Sequence, residues 1–136
     1  MAKRRQNVIK SDAGLLDKTV WRRRLEDYPT DLFLQIQSLL KANVKDLTEK
    51  FNHKSRYFGY CKAGHSDVLY IYIQKKRLRI DLKIDQDYEK ALRRAGYTVK
   101  YVNNYQGRFG WVTGWFISQD CRKVKEIVNY MLKAFK

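Results

Sequence analysis

The feature that most constrains this chain is a pair of apolar segments on either side of a short run of cations. Val68-Leu69-Tyr70-Ile71-Tyr72-Ile73 leads into Gln74-Lys75-Lys76-Arg77, and Leu78-Arg79-Ile80-Asp81-Leu82-Lys83-Ile84 follows. The second segment alternates apolar and polar at every step, the period of a strand with one buried face. The spacing predicts a β-hairpin with a basic turn across Gln74 to Arg77. Leu69, Ile71 and Ile73 must share the buried face with Leu78, Ile80, Leu82 and Ile84, because a one-residue slip would turn every side chain over. Tyr70, Tyr72, Arg77, Arg79 and Lys83 then project from the other side.

The patterns around the hairpin complete an α+β reading. Residues 1–12 are polar and basic and read as a flexible tail, and residues 13–28 as a helical extension with an irregular apolar pattern. Pro29 opens a clearer helix, since proline is tolerated at the first helical position. Leu32, Phe33, Ile36, Leu39 and Leu40 form one helical stripe, and Asn43 is a stop. Val44, Leu47 and Phe51 suggest a further short helix. Arg56 to Lys62 is aromatic-rich and strand-like. Residues 86–95 return to helical spacing, with Gly96 as the terminator. Thr98 to Val102 and Val112 to Ile117 read as two more strands joined by a loop containing Gly and Asn. Asp120 is expected to cap a last helix carrying Val124, Ile127, Val128, Met131, Leu132 and Phe135. The expected architecture is a largely antiparallel sheet of about five strands packed with N-terminal, middle and C-terminal helices, a single α+β domain over 13–136.

Charge narrows the partners. The chain of 136 residues carries 29 Lys and Arg against 14 Asp and Glu, a formal net charge of +15. The excess is spread over both halves, so most of it belongs to a folded surface rather than to a detachable arm. The clusters are Lys3-Arg4-Arg5, Arg22-Arg23-Arg24, Lys75-Lys76-Arg77-Leu78-Arg79, Arg93-Arg94 and Arg122-Lys123-Val124-Lys125. Self-repulsion on this scale is relieved by a polyanionic partner, against which stands the plain reading of a charged surface kept soluble. No apolar run approaches the roughly 20 residues that span a bilayer, and the start lacks a secretory apolar core. The two cysteines, Cys61 and Cys121, fit a reducing compartment, hence a cytoplasmic location.

Phe51 to Lys136 also resembles a known family. The carriers are the aromatic strand Tyr57-Phe58-Gly59-Tyr60, the stretch Gln74-Lys75-Lys76-Arg77-Leu78-Arg79-Ile80, and the Gly- and Trp-containing strand Phe109 to Ile117. A closing helix ending Tyr130-Met131-Leu132-Lys133-Ala134-Phe135 completes the pattern. The family is a small uncharacterised α+β domain, sometimes labelled predicted transport protein. It is found alone or at the C-terminus of nuclease-like or restriction-linked microbial proteins. The resemblance implies an α+β fold and a link to nucleic-acid systems, phage- or defence-associated. It implies no activity.

Three constellations bear on chemistry. Restriction-type nucleases place an acid on one strand and acid-x-Lys on the next, to hold a divalent cation and activate water. Asp67 and Asp81-Leu82-Lys83 have that spacing. By the hairpin register, however, Asp67 falls in phase with the apolar set while Asp81 and Lys83 face the other way. An exposed i, i+2 ion pair on a charged strand is the plainer account. The second constellation is the aromatic and basic hairpin face, Tyr70, Tyr72, Arg77, Arg79 and Lys83, since rings stack on bases while cations neutralise phosphates. Tyr60, Tyr101, Tyr105, Phe109, Trp111 and Trp115 are candidates to extend it. Arg108-Phe109-Gly110-Trp111-Val112 resembles the aromatic strand of RNA-recognition motifs, although no strand follows the last helix as that fold requires. The alternative is a face covered by a helix, with its tyrosines in a core. Thirdly, His53, His65, Cys61 and Cys121 lack metal-ligand or catalytic spacing, and no phosphate loop occurs. No cofactor is implied.

These features favour a non-enzymatic nucleic-acid-binding module that works mainly through phosphate contacts at Lys75, Lys76, Arg77, Arg79 and Lys83. Tyr70 and Tyr72 lie beside them, and Arg22, Arg23, Arg24 and Arg108 are further contacts. A basic domain or inhibitor docking on an acidic protein is the alternative, and a divergent metal-dependent nuclease a third.

Overall fold

Pro29 stands at the head of the first described helix, and Phe33 donates its N–H to the Pro29 carbonyl at 2.9 Å, closing its first turn. A computed structural model describes residues 28–52, 54–102 and 110–136. The basic tail and residues 13–27 of the expected extension lie outside the described residues, as do His53 and the loop 103–109. Helix α1, Thr30–Asn43, buries Leu32, Phe33, Ile36 and Leu40 and ends where the stripe runs out.

The segment after α1 corrects the sequence reading. Val44, Leu47 and Phe51 do not extend a helix, because Leu47–Asn52 is a strand, β1. Leu47 and Phe51 are four apart, a separation that puts two residues on one side of a strand as well as of a helix. Pairing decides the matter, since β1 runs antiparallel to β2, Tyr57–Lys62, with Leu47 opposite Lys62 and Asn52 opposite Tyr57. The hairpin follows as expected, β3 Leu69–Gln74 and β4 Arg77–Leu82, with Gln74 opposite Arg77. The turn therefore shrinks to Lys75-Lys76. Lys76 lies at φ 64, a left-handed position that costs a side-chain-bearing residue roughly 1–2 kcal/mol.

Helix α2, Gln86–Arg94, starts from an Asp85 cap whose carboxylate accepts from the Asp87 and Tyr88 N–H groups, and it stops before Gly96 at φ 99. Strands β5, Lys100–Val102, and β6, Trp111–Ser118, pair antiparallel. The last helix, α3, spans Val124–Lys133. It begins later than expected, and Asp120 does not cap it. Residues Ser118 to Cys121 form a turn, with the Cys121 N–H on the Ser118 carbonyl at 2.9 Å, and Lys123 occupies the cap position.

Among the described residues six strands form a single sheet in the order β1-β2-β3-β4-β6-β5, each neighbouring pair antiparallel. This is the α+β class read from the sequence. Leu69, Ile71, Ile73, Leu78, Ile80, Leu82, Trp115 and Ile117 join the buried sides of α1, α2 and α3 in one hydrophobic cluster. Phe58 packs between Phe33 of α1 and Phe51 of β1, with centroids 4.5 and 4.7 Å away. Each fully buried Leu or Ile contributes about 1.5–3 kcal/mol to the fold. A buried polar contact ties α1 to the sheet. Glu49 accepts from Gln37 Nε2 at 2.8 Å and from the Tyr60 hydroxyl at 2.6 Å. Among the described residues, no helix is long and apolar enough to cross a membrane.

Candidate functional site

The described helices all bury their apolar sides on one face of the sheet, so the other face is built from the alternate residues of the same strands. Cross-strand register places Asn52, Tyr57, Tyr72, Arg79 and Phe116 opposite one another in a row across five strands. The adjacent row holds Lys50, Gly59, Tyr70 and Asp81. Directly opposed side chains point the same way, so both rows lie on the face away from the helices.

The rings in these rows touch. Tyr57 lies 5.0 Å from Tyr72 and meets Tyr70 edge-on at 5.2 Å, centroid to centroid. Trp111 stacks on Tyr70 at 5.4 Å with 13° between the planes. The Arg79 guanidinium sits 4.9 Å from the Tyr72 ring centre, and that of Arg77 lies 3.8 Å over Phe116. Phe116 is the exposed large hydrophobic residue of the described chain, at 42%. Gly59 leaves the room for Tyr70 to lie across its neighbour, since a Cβ there would come within 3.2 Å of the Tyr70 ring and of the Asp67 carboxylate.

A β-bulge shapes the centre of this face. Ile80 opposes Trp115, but Leu82 opposes Val112, so β6 carries one extra residue opposite Asp81. Gly114, at φ 64, supplies the turn of backbone, and its N–H points to Asp81 Oδ1 at 3.1 Å. The same carboxylate accepts from Arg79 Nε and Nη2, both at 3.2 Å. Asp81 thus fills the bulge and holds the Arg79 guanidinium over Tyr72. The bulge also separates the two tryptophans. Four residues apart on a regular strand they would share a side, yet Trp115 is fully buried opposite Ile80 while Trp111 stacks on Tyr70.

Several sequence expectations change here. Asp67 is not in phase with Leu69 and Ile71. It precedes β3, so the strand's alternation does not govern it. It accepts from the Tyr70 hydroxyl at 3.3 Å and pairs with Lys50 Nζ at 3.3 Å, on the same face as Asp81. Each acid is thus engaged by its own cation. No group of three or more His, Cys, Asp or Glu side chains among the described residues could hold a metal ion. Tyr60 and Trp115 do not extend the aromatic face, because they point into the core. Tyr101 packs partly buried against that core, and Tyr105 and Phe109 lie outside the described residues.

Comparison with protein-family models, with curated proteins and with solved structures found no match. The site therefore rests on its own geometry.

The cations fall into two kinds. Lys75, Lys76 and Arg77 are exposed, and among the described residues none of them pairs with a carboxylate. Arg77 Nε instead donates to Gln74 Oε1 at 2.8 Å. Arg79 is neutralised by Asp81, so the structure separates it from the turn cations with which the sequence grouped it. Lys83 lies just past β4, half-buried, with its backbone N–H on the Val68 carbonyl at 2.9 Å. Arg22, Arg23, Arg24 and Arg108 are outside the described residues. Arg122, Lys123 and Lys125 are exposed around the start of α3, on the helical side of the sheet. The phenols of Tyr70 and Tyr72 are both pushed up from their ordinary range. Burial is the main cause, followed by the Asp67 carboxylate for Tyr70 and that of Asp81 for Tyr72. They stay neutral at physiological pH.

Proposed function

We propose that this protein is a nucleic-acid-binding module that contacts phosphates through the Lys75-Lys76-Arg77 turn and binds without cleaving. The observation that carries the reading is the exposed turn, without a carboxylate partner among the described residues, set beside an aromatic sheet face. Two hairpin strands and β6 fix its position, since the Gln119 N–H donates to the Lys76 carbonyl at 3.0 Å. Cations placed in this way exchange condensed counterions for phosphate contacts at little conformational cost. The formal charge of +15 supplies the long-range attraction. Binding without turnover is favoured because Asp67 and Asp81, the acids of the nuclease alternative, are spent on Lys50 and Arg79.

The test is the salt dependence of binding. Lys75→Ala/Arg77→Ala is expected to weaken binding almost equally for all sequences and to lower the slope of log K against log salt by about one to two. Stability should fall by no more than about 1 kcal/mol, the scale of the exposed contact between Arg77 and Phe116 that the variant removes. An unchanged slope would sink the turn as the phosphate site and shift attention to Arg122, Lys123 and Lys125.

A further inference from the structure

We infer that the bound polynucleotide is single-stranded, with its bases laid against the row Tyr57, Tyr72, Arg79 and Phe116 and its phosphates directed to Lys75 and Lys76. The inference rests on the nucleic-acid reading above and names the form of the ligand. Shape decides first against a duplex. Six strands side by side span roughly 24 Å, whereas the major groove, about 12 Å wide, admits a helix or a two-stranded ribbon. The hairpin offers no free ribbon, because the Gln119 N–H ties its tip to the end of β6 and Ser118 opposes Arg77.

The chemistry of the row points the same way. A duplex hides the faces of its bases and presents phosphates, so it leaves a row of rings without a partner. A single strand exposes those faces, and aromatic rings or guanidinium planes stack on them whatever the base. Phe116 is 42% exposed under the Arg77 guanidinium, an apolar ring left in solvent beneath a cation. Arg79 makes a poor phosphate anchor because Asp81 already balances its charge, but the same bidentate contact holds its guanidinium in place over Tyr72. From Tyr57 to Phe116 the row crosses three strand spacings, about 14 Å, which suits two or three bases. The turn cations lie at the same end of β3 and β4 as Gln74 and Arg77, the next row over.

The whole chain would be titrated with labelled single strands of about 12 nucleotides, DNA and RNA in separate arms, and with duplexes of the same sequence and salt. Fluorescence anisotropy is expected to show single strands of at least one sugar type binding roughly tenfold or more tighter than the duplex. Tyr72→Leu and Phe116→Leu, which keep apolar volume but remove a ring, should weaken that binding by about 5- to 150-fold. Their salt slope should stay unchanged, unlike that of the turn variant. Phe116→Trp should retain affinity, and thermal melting confirms that each variant is folded. Duplex bound as tightly as single strands, with Phe116→Leu harmless, overturns the inference and leaves the phosphate-binding reading standing. No binding of either form overturns both.

Discussion

Asp81 does more on the face away from the described helices than its place in an alternating strand indicates. Its carboxylate accepts two bonds from Arg79 and one from the Gly114 N–H while only 8% exposed. Asp81→Asn keeps the shape but removes the charge that Arg79 faces, and its amide presents donors where donors already point. Hydrogen bonds to charged groups contribute about 1.5–3 kcal/mol, and Arg79 remains partly solvated, so a loss of about 1–2 kcal/mol is expected by chemical denaturation. Unchanged stability would mean that the bulge holds without its plug. Tyr70 makes a second prediction at this scale. Burial and the Asp67 carboxylate raise its phenol above the ordinary value of 10.0, so the folded chain favours the protonated form. Its contribution is complete below about pH 10, where the unfolded phenol is also protonated. It is lost as pH climbs toward the folded value, because the unfolded chain releases its proton first. Melting temperature should therefore fall above about pH 10, and Tyr70→Phe should flatten that fall. An identical alkaline profile in the variant would place the titration elsewhere.

At the scale of elements, the bulge in β6 carries the greatest consequence. Gly114 at φ 64 is the residue that allows it, and Gly114→Ala is expected to cost about 1–2 kcal/mol. The same change should disturb the stacking of Trp111 on Tyr70, read as a shift in tryptophan fluorescence or near-ultraviolet circular dichroism. A variant as stable as the parent, with the same spectrum, would show that the positive φ is not required. The hairpin β3–β4 and helix α3 were readable as elements because each repeats one period over a long run. β1 was not, because Leu47 and Phe51 satisfy both periods and its strand character comes from pairing with β2. The start of α3 differs from the one expected at Asp120 for a related reason. A good capping residue is a local preference, and here a turn from Ser118 to Cys121 uses that segment first.

At the scale of the whole molecule, a formal charge of +15 on 136 residues sets a self-repulsion that salt screens. Melting temperature is expected to rise between about 10 and 150 mM salt, over which the Debye length shortens from roughly 30 to 8 Å. A melting temperature indifferent to salt would show the charges already balanced in pairs. The sequence alone determined the charge, the hairpin with its buried and polar faces, the helix opened by Pro29, the helical stretch within 86–95 and the last helical stripe from Val124. All of these follow from neighbours within a few residues, whose periodicity reports burial directly. The row that joins Asn52, Tyr57, Tyr72, Arg79 and Phe116 was decided only by the tertiary structure. Its members come from five strands, and their alignment depends on strand order and register rather than on any local pattern. The side on which Asp67 lies and the opposite fates of Trp111 and Trp115 were decided there too. Each turns on a departure from regular pleat, at Asp67 ahead of β3 or at Gly114 in β6, and a period read along one strand assumes that no such departure occurs.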